Sequence, residues 1–110
     1  TRVTFRHPPD PVTVFTPVLD FDAGSGRIGL RLSWTPSEDA GGLASYLIYR
    51  SLTPNITQNN AVLISSITSR QTVSYLDQTV IRNNDYYYRI FVSDLTGLTA
   101  GSNEVSGTTR

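Results

Sequence analysis

Residues 28–36 read Ile28-Gly29-Leu30-Arg31-Leu32-Ser33-Trp34-Thr35-Pro36, and this stretch decides the fold. Ile28, Leu30, Leu32 and Trp34 alternate without a break with Gly29, Arg31, Ser33 and Thr35. A period of two sends the two sets to opposite faces of a strand, one apolar and one polar. That is the signature of a half-buried antiparallel strand, and Pro36, with no N–H for a ladder, ends it. Residues 86–93 repeat the pattern, with Tyr86, Tyr88, Ile90 and Val92 in phase and Tyr87, Arg89, Phe91 and Ser93 opposite. Between the two, Tyr46-Leu47-Ile48-Tyr49-Arg50 is rich in residues that suit a pleated surface.

Outward from these three segments the signals are shorter. Val12 to Phe21 alternates but is interrupted by Pro17, which predicts an edge strand split in the middle. Ala61 to Ile67 and Thr72 to Leu76 read as short strands, and Ser102 to Thr109 as a last, polar strand around Val105. Ala23-Gly24-Ser25-Gly26 and Asn83-Asn84-Asp85 read as turns; Ser37–Gly42, Ser51–Asn60 and Asp94–Gly101 read as loops. No window of helical length carries a sustained 3.6-residue apolar period. About seven strands and no helix predict an all-β antiparallel sandwich. Pro8, Pro9 and Pro11 make residues 1–11 an extended N-terminal linker and leave 12–110 as the domain.

Composition narrows the function. A chain of 110 residues, 38% hydrophobic, is long enough to bury a core without a disulfide, a metal or a partner, and is expected to be a monomer. Nine basic and nine acidic side chains give net charge zero, which argues against nucleic acid as a partner. With no cysteine there is no thiolate metal site, redox pair or nucleophilic thiol. Every basic residue is arginine, so Schiff-base and phosphate-loop lysines are excluded. No apolar run is long enough to insert in a membrane as a helix. The chain contains no methionine, and a start at Thr1 and an end at Arg110 suggest a module excised from a longer polypeptide.

Four local matches resemble a fibronectin type III domain of the kind found in bacterial secreted and surface proteins. Leu32-Ser33-Trp34-Thr35-Pro36 is similar to the family's strand B, where a core tryptophan precedes a proline. Asp39-Ala40-Gly41-Gly42 leading into Tyr46-Leu47-Ile48-Tyr49-Arg50 is similar to strand C, and Tyr75-Leu76-Asp77 to the end of strand E. Tyr86-Tyr87-Tyr88-Arg89-Ile90, then Asp94 and Gly97, is similar to strand F and the F–G loop. The resemblance implies a seven-stranded, immunoglobulin-like β-sandwich, here without a disulfide. Its core would be Leu32, Trp34, Tyr46, Ile48, Tyr86, Tyr88 and Ile90, with Tyr86 at the tyrosine corner, its hydroxyl bonded to backbone upstream. Val80 and Arg82 stand where the family usually carries leucine and proline before that tyrosine.

Little in the inventory suggests catalysis. His7, the single histidine, lies between Arg6 and two prolines in the linker, where no rigid frame can hold it against a nucleophile. Asp20 and Asp22 lack a calcium loop's ligand spacing. Glu38 and Asp39 solvate a loop, and Gly24, Gly26 and Gly29 lack the following helix that anion cradles need. We therefore expect no catalytic, cofactor or metal site. Asn55-Ile56-Thr57 matches a glycosylation acceptor, a pattern that arises easily by chance here, and no Arg-Gly-Asp occurs.

Parity points to one surface. With Tyr46, Ile48, Tyr86, Tyr88, Ile90 and Val92 inward, Leu47, Tyr49, Tyr87, Arg89 and Phe91 fall together on the outer face of strands C and F. Aromatic residues and arginine are enriched at interfaces, so these five form the candidate partner-binding face. The competing explanation, cross-strand aromatic pairing that only stabilises the sheet, carries more weight, because single apolar surface residues are normal. Leu95 and Leu98 are candidate loop contacts. The expected role is a non-catalytic module that spaces, orients or docks neighbouring domains of a secreted or cell-surface protein. The alternative is recognition of a protein or polysaccharide ligand by the C–F aromatic face.

Overall fold

The structure, a computed structural model, describes residues 11–22, 24, 26–36, 43–69, 71–95 and 97–109. Residues 1–10 of the expected linker, His7 included, lie outside the described residues, as do Glu38, Asp39 and the side chain of Asp22. Among the described residues there are eight strands and no helix: β1 (Val18–Asp22), β2 (Arg27–Ser33), β3 (Leu43–Ser51), β4 (Val62–Ile67), β5 (Ser74–Asp77), β6 (Asp85–Asp94), β7 (Thr99–Gly101) and β8 (Val105–Thr108). They form two antiparallel sheets, one in the order β1-β2-β5 and one in the order β4-β3-β6, with β7 and β8 both paired to β6.

Alternation sets which residues meet. On β2, Leu30 and Leu32 stand opposite Asp77 and Tyr75 of β5 and turn inward. On β3, Tyr46 and Ile48 stand opposite Val92 and Ile90 of β6 and turn inward against them. Every core residue expected from the sequence is buried, with Leu32, Tyr46, Ile48, Tyr88 and Ile90 wholly so. Trp34 packs edge-on against Tyr46 with ring centroids 5.6 Å apart, an arrangement contributing about 0.5–1.5 kcal/mol beyond area burial. Its indole N–H finds no hydrogen-bond partner among the described residues. The Tyr86 hydroxyl accepts a hydrogen bond from the Ile81 N–H at 2.8 Å, so the corner forms despite Val80 and Arg82.

The split first strand is as expected. Val14 bridges Trp34 before Pro17, and β1 resumes after it. The expected last strand is β8, and the structure adds β7 wholly inside the stretch read as the loop Asp94–Gly101. Gly101 faces Phe91 and Val105 faces Tyr88, so four steps on one side oppose three on the other, a bulge. There Ser102 meets Ile90 twice: its backbone N–H donates to the Ile90 carbonyl at 2.8 Å, and its side-chain hydroxyl accepts from the Ile90 N–H at 2.9 Å. Next to it the Asn103 amide clasps Val14, accepting from its N–H at 2.8 Å and donating to its carbonyl at 2.9 Å. The eighth strand is thus an addition to the expected seven, formed from the expected loop, and the residues of the bulge tie down the first strand.

Candidate functional site

The structure brings Leu47, Tyr49, Tyr87, Arg89 and Phe91 together on the outer face of β3 and β6. Leu47 stands opposite Phe91, and Tyr49 opposite Arg89. That face is not exposed. Phe91 is buried, and the other four are half-buried. The cause is the loop Ser51–Asn60, which folds back over the sheet and drives Ile56 to 2% exposure. Arg89 Nη1 donates to the Ile56 carbonyl at 2.9 Å and its Nε to the Ser102 carbonyl at 2.8 Å. Glu104 accepts the N–H groups of Asn55 and Ile56 at 3.2 and 2.7 Å. The Gln58 amide reaches the Tyr49 hydroxyl and Thr99.

Inside this covered patch, Tyr49 meets Phe91 edge-on at 5.4 Å, and the Arg89 guanidinium lies 4.9 Å from the Phe91 ring centroid. Gly101 leaves room for that guanidinium, since a Cβ there would lie 2.6 Å from Nη2. The expected exposed aromatic surface is therefore corrected: it is a second, small core roofed by the chain's own loop. Of the loop leucines, Leu95 is exposed and Leu98 half-buried. Asn55 is exposed, with φ of 68°, in that same roof.

A polar cluster that sequence reading missed lies where β3, β5 and β6 meet. Arg50 shares the inward phase of Tyr46 and Ile48, and that phase was the available signal: an inward guanidinium must be paired. Its Nη1 donates to Asp77 at 2.9 Å, and its guanidinium covers the Tyr86 ring at 5.1 Å. Asp77 also accepts from the Tyr88 hydroxyl at 2.7 Å and from the Thr79 N–H at 3.0 Å. Burial alone would push the Asp77 carboxyl up, but the bonds from Thr79, Tyr88 and Arg50 outweigh it and hold it below the usual carboxylate value. Burial and the neighbouring carboxylate push the Tyr88 phenol far up, so the proton stays on the tyrosine. Because Asp77 stands on β5 in one sheet and Arg50 and Tyr88 on β3 and β6 in the other, the cluster fastens the two sheets.

The outer face of β1-β2-β5 is different. Gly29 sits on the central strand opposite Asp20, with Arg27 and Arg31 two residues to either side. The missing side chain leaves a groove of about 280 Å³, into which Leu76 leans from β5. Arg31 pairs with Asp20 at 3.1 Å. A second depression of about 330 Å³ adjoins it toward Ile81 and Arg82. Along β1 and the residues before it, Phe15, Val18, Leu19 and Phe21 are 51%, 64%, 42% and 55% exposed, a run of large apolar groups on one sheet edge. Among the described residues no group of three or more His, Cys, Asp or Glu side chains could hold a metal ion.

Two facing sheets without a disulfide, a buried tryptophan directly after β2 and a tyrosine corner match the fibronectin type III fold, and solved structures agree. The chain is similar to an Fn3-like protein from Clostridium thermocellum, with TM-score 0.65 and 24% identity over 91% of this chain and 92% of that one. It is similar to a fibronectin type III domain of human fibronectin type III domain containing protein 3, with TM-score 0.66, 18% identity and coverage of 96% and 90%. It also matches part of a pectate lyase from Erwinia chrysanthemi, with TM-score 0.66 and 18% identity over 88% of this chain but 27% of that one. The chain thus spans about a quarter of the pectate lyase's length. No protein-family profile and no curated protein sequence matches it. These likenesses establish the fold, a fibronectin type III-like β-sandwich.

Proposed function

We propose that this module is non-catalytic and docks or orients a neighbouring domain of a longer secreted or cell-surface polypeptide, through the edge formed by β1. The run of exposed apolar side chains at Phe15, Val18 and Leu19 carries the reading. Sheet edges normally present charge or proline, and contiguous exposed apolar groups there mark contact surfaces. The C–F face, roofed by its own loop, is set aside as the docking surface. The match to a quarter of a pectate lyase supports a place within a larger chain. The test is calorimetric titration of the 110-residue chain with the remainder of its parent polypeptide supplied in trans. Phe15→Ser combined with Val18→Ser should weaken binding at least tenfold while leaving the melting temperature of the isolated chain almost unchanged. Absence of binding by the unaltered chain would leave only a passive spacer.

A further inference from the structure

Asn55-Ile56-Thr57 is the single Asn-X-Ser/Thr triplet in the chain, and it falls in the loop that roofs β3 and β6. Chance alone supplies such a triplet easily, so its placement is what carries weight. Burial alternates within it: Ile56 is 2% exposed, while Asn55 and Thr57 are both exposed. Ile56 anchors the loop in the small core beneath, and its two polar neighbours stay on the solvent side. The backbone of Asn55 is engaged, its N–H donating to Glu104 at 3.2 Å and its carbonyl accepting from the Asn60 amide at 2.9 Å. Its side chain is not. Asn60, Asn84 and Asn103 commit their amides to backbone groups, whereas the Asn55 amide makes no hydrogen bond among the described residues. A φ of 68° puts Asn55 in the left-handed region, which asparagine enters more readily than most residues with a side chain.

We propose that Asn55 is an acceptor for an N-linked oligosaccharide, which the folded chain carries on its roof without strain. In the transfer the Asn55 amide nitrogen bonds to the anomeric carbon of a sugar held on a lipid pyrophosphate. The bond from that carbon to the pyrophosphate breaks, the pyrophosphate leaves with the electron pair, and the amide gives up one proton. Thr57 supplies the hydroxyl that the triplet needs at its third position. Because both backbone groups of Asn55 are engaged in the folded loop, transfer acts on the chain before the roof closes. The amide then stands in solvent with its bulky, hydrophilic load. The inference rests on the reading of a secreted or cell-surface chain, since lipid-linked donors act on exported polypeptides. The roof covers β3 and β6 and β1 belongs to the other sheet, so sugar and docking edge do not compete.

Secretion of the 110-residue chain from a eukaryotic cell behind a cleavable leader tests it, with intact mass as the readout. One discrete gain in mass is expected, removed by an amidase that cleaves sugar from asparagine. Thr57→Ser should keep the gain, while Thr57→Val and Asn55→Gly should lose it. Glycine accepts the positive φ, so Asn55→Gly removes the acceptor and keeps the turn. The sugar-bearing chain should melt within a few degrees of the same chain after amidase treatment. An unmodified chain in the medium, an amidase-sensitive gain that survives Asn55→Gly, or a larger fall in melting temperature caused by the sugar would overturn the proposal. The supplied leader takes the native location out of the test, so failure here refutes the acceptor site and leaves docking through β1 standing.

Discussion

Replacing Asp77 by alanine removes one acceptor and leaves four donor groups without it: the Tyr88 hydroxyl, the Arg50 guanidinium, and the N–H and hydroxyl of Thr79. Their losses are unequal. Arg50 keeps 21% side-chain exposure and can turn toward water, and Thr79 is exposed. Tyr88 is fully buried and cannot, so its hydroxyl is stranded. Breaking a buried, hydrogen-bonded ion pair costs about 3–5 kcal/mol. Against a total of about 5–15 kcal/mol for a domain, that is a large share. With a urea dependence of roughly 2 kcal/mol per molar, the midpoint should fall by about 2 M. Trp34, the single tryptophan and 2% exposed, reports the transition by fluorescence.

Adding Tyr88→Phe to Asp77→Ala removes the stranded hydroxyl and should recover about 1–3 kcal/mol, so the two changes are not additive. Acid gives a second readout. The folded carboxyl of Asp77 titrates below its ordinary value of 3.8, so its contribution is complete above pH 3.8 and fades as pH falls through the lower folded value. The stability gap between the unaltered chain and Asp77→Asn should narrow over that window. Base acts through Tyr88, whose raised folded value makes its contribution complete below 10 and lost as pH climbs above it. A loss under about 1 kcal/mol for Asp77→Ala, or strict additivity with Tyr88→Phe, would refute the argument that a matched buried cluster joins the sheets.

Two further outcomes test the roofed face. Phe91→Ala should cost about 3–5 kcal/mol by thermal or urea denaturation, the value for a buried phenylalanine, whereas an exposed aromatic would cost under about 0.5. Gly101→Ala places a Cβ 2.6 Å from Arg89 Nη2 and should cost about 1–3 kcal/mol. Hydrogen exchange at Asn55 and Ile56 should then accelerate as the loop loses its Arg89 bond, with the core strands little affected.

The alternation of residues 28–34 and 86–92 already specified two strands with their inner faces, and the residues it turns inward are buried. Side-chain period is a local property, so it survives in sequence. The tyrosine corner is equally local, its hydroxyl reaching back five residues. What alternation cannot report is whether an outward residue meets water or another part of the chain. Parity put Phe91 and Arg89 outside correctly, but the loop covering them is pinned by Glu104, 48 residues beyond Ile56. The same holds for the Arg50–Asp77 pair, for β7, which exists by pairing with β6, and for the second depression, whose lining takes Arg27 and Arg82 from distant parts of the chain. The sequence by itself determined the long strands, their phase and the core residues they carry. Which outer faces stay open was decided by tertiary structure, because exposure depends on contacts between residues far apart along the chain.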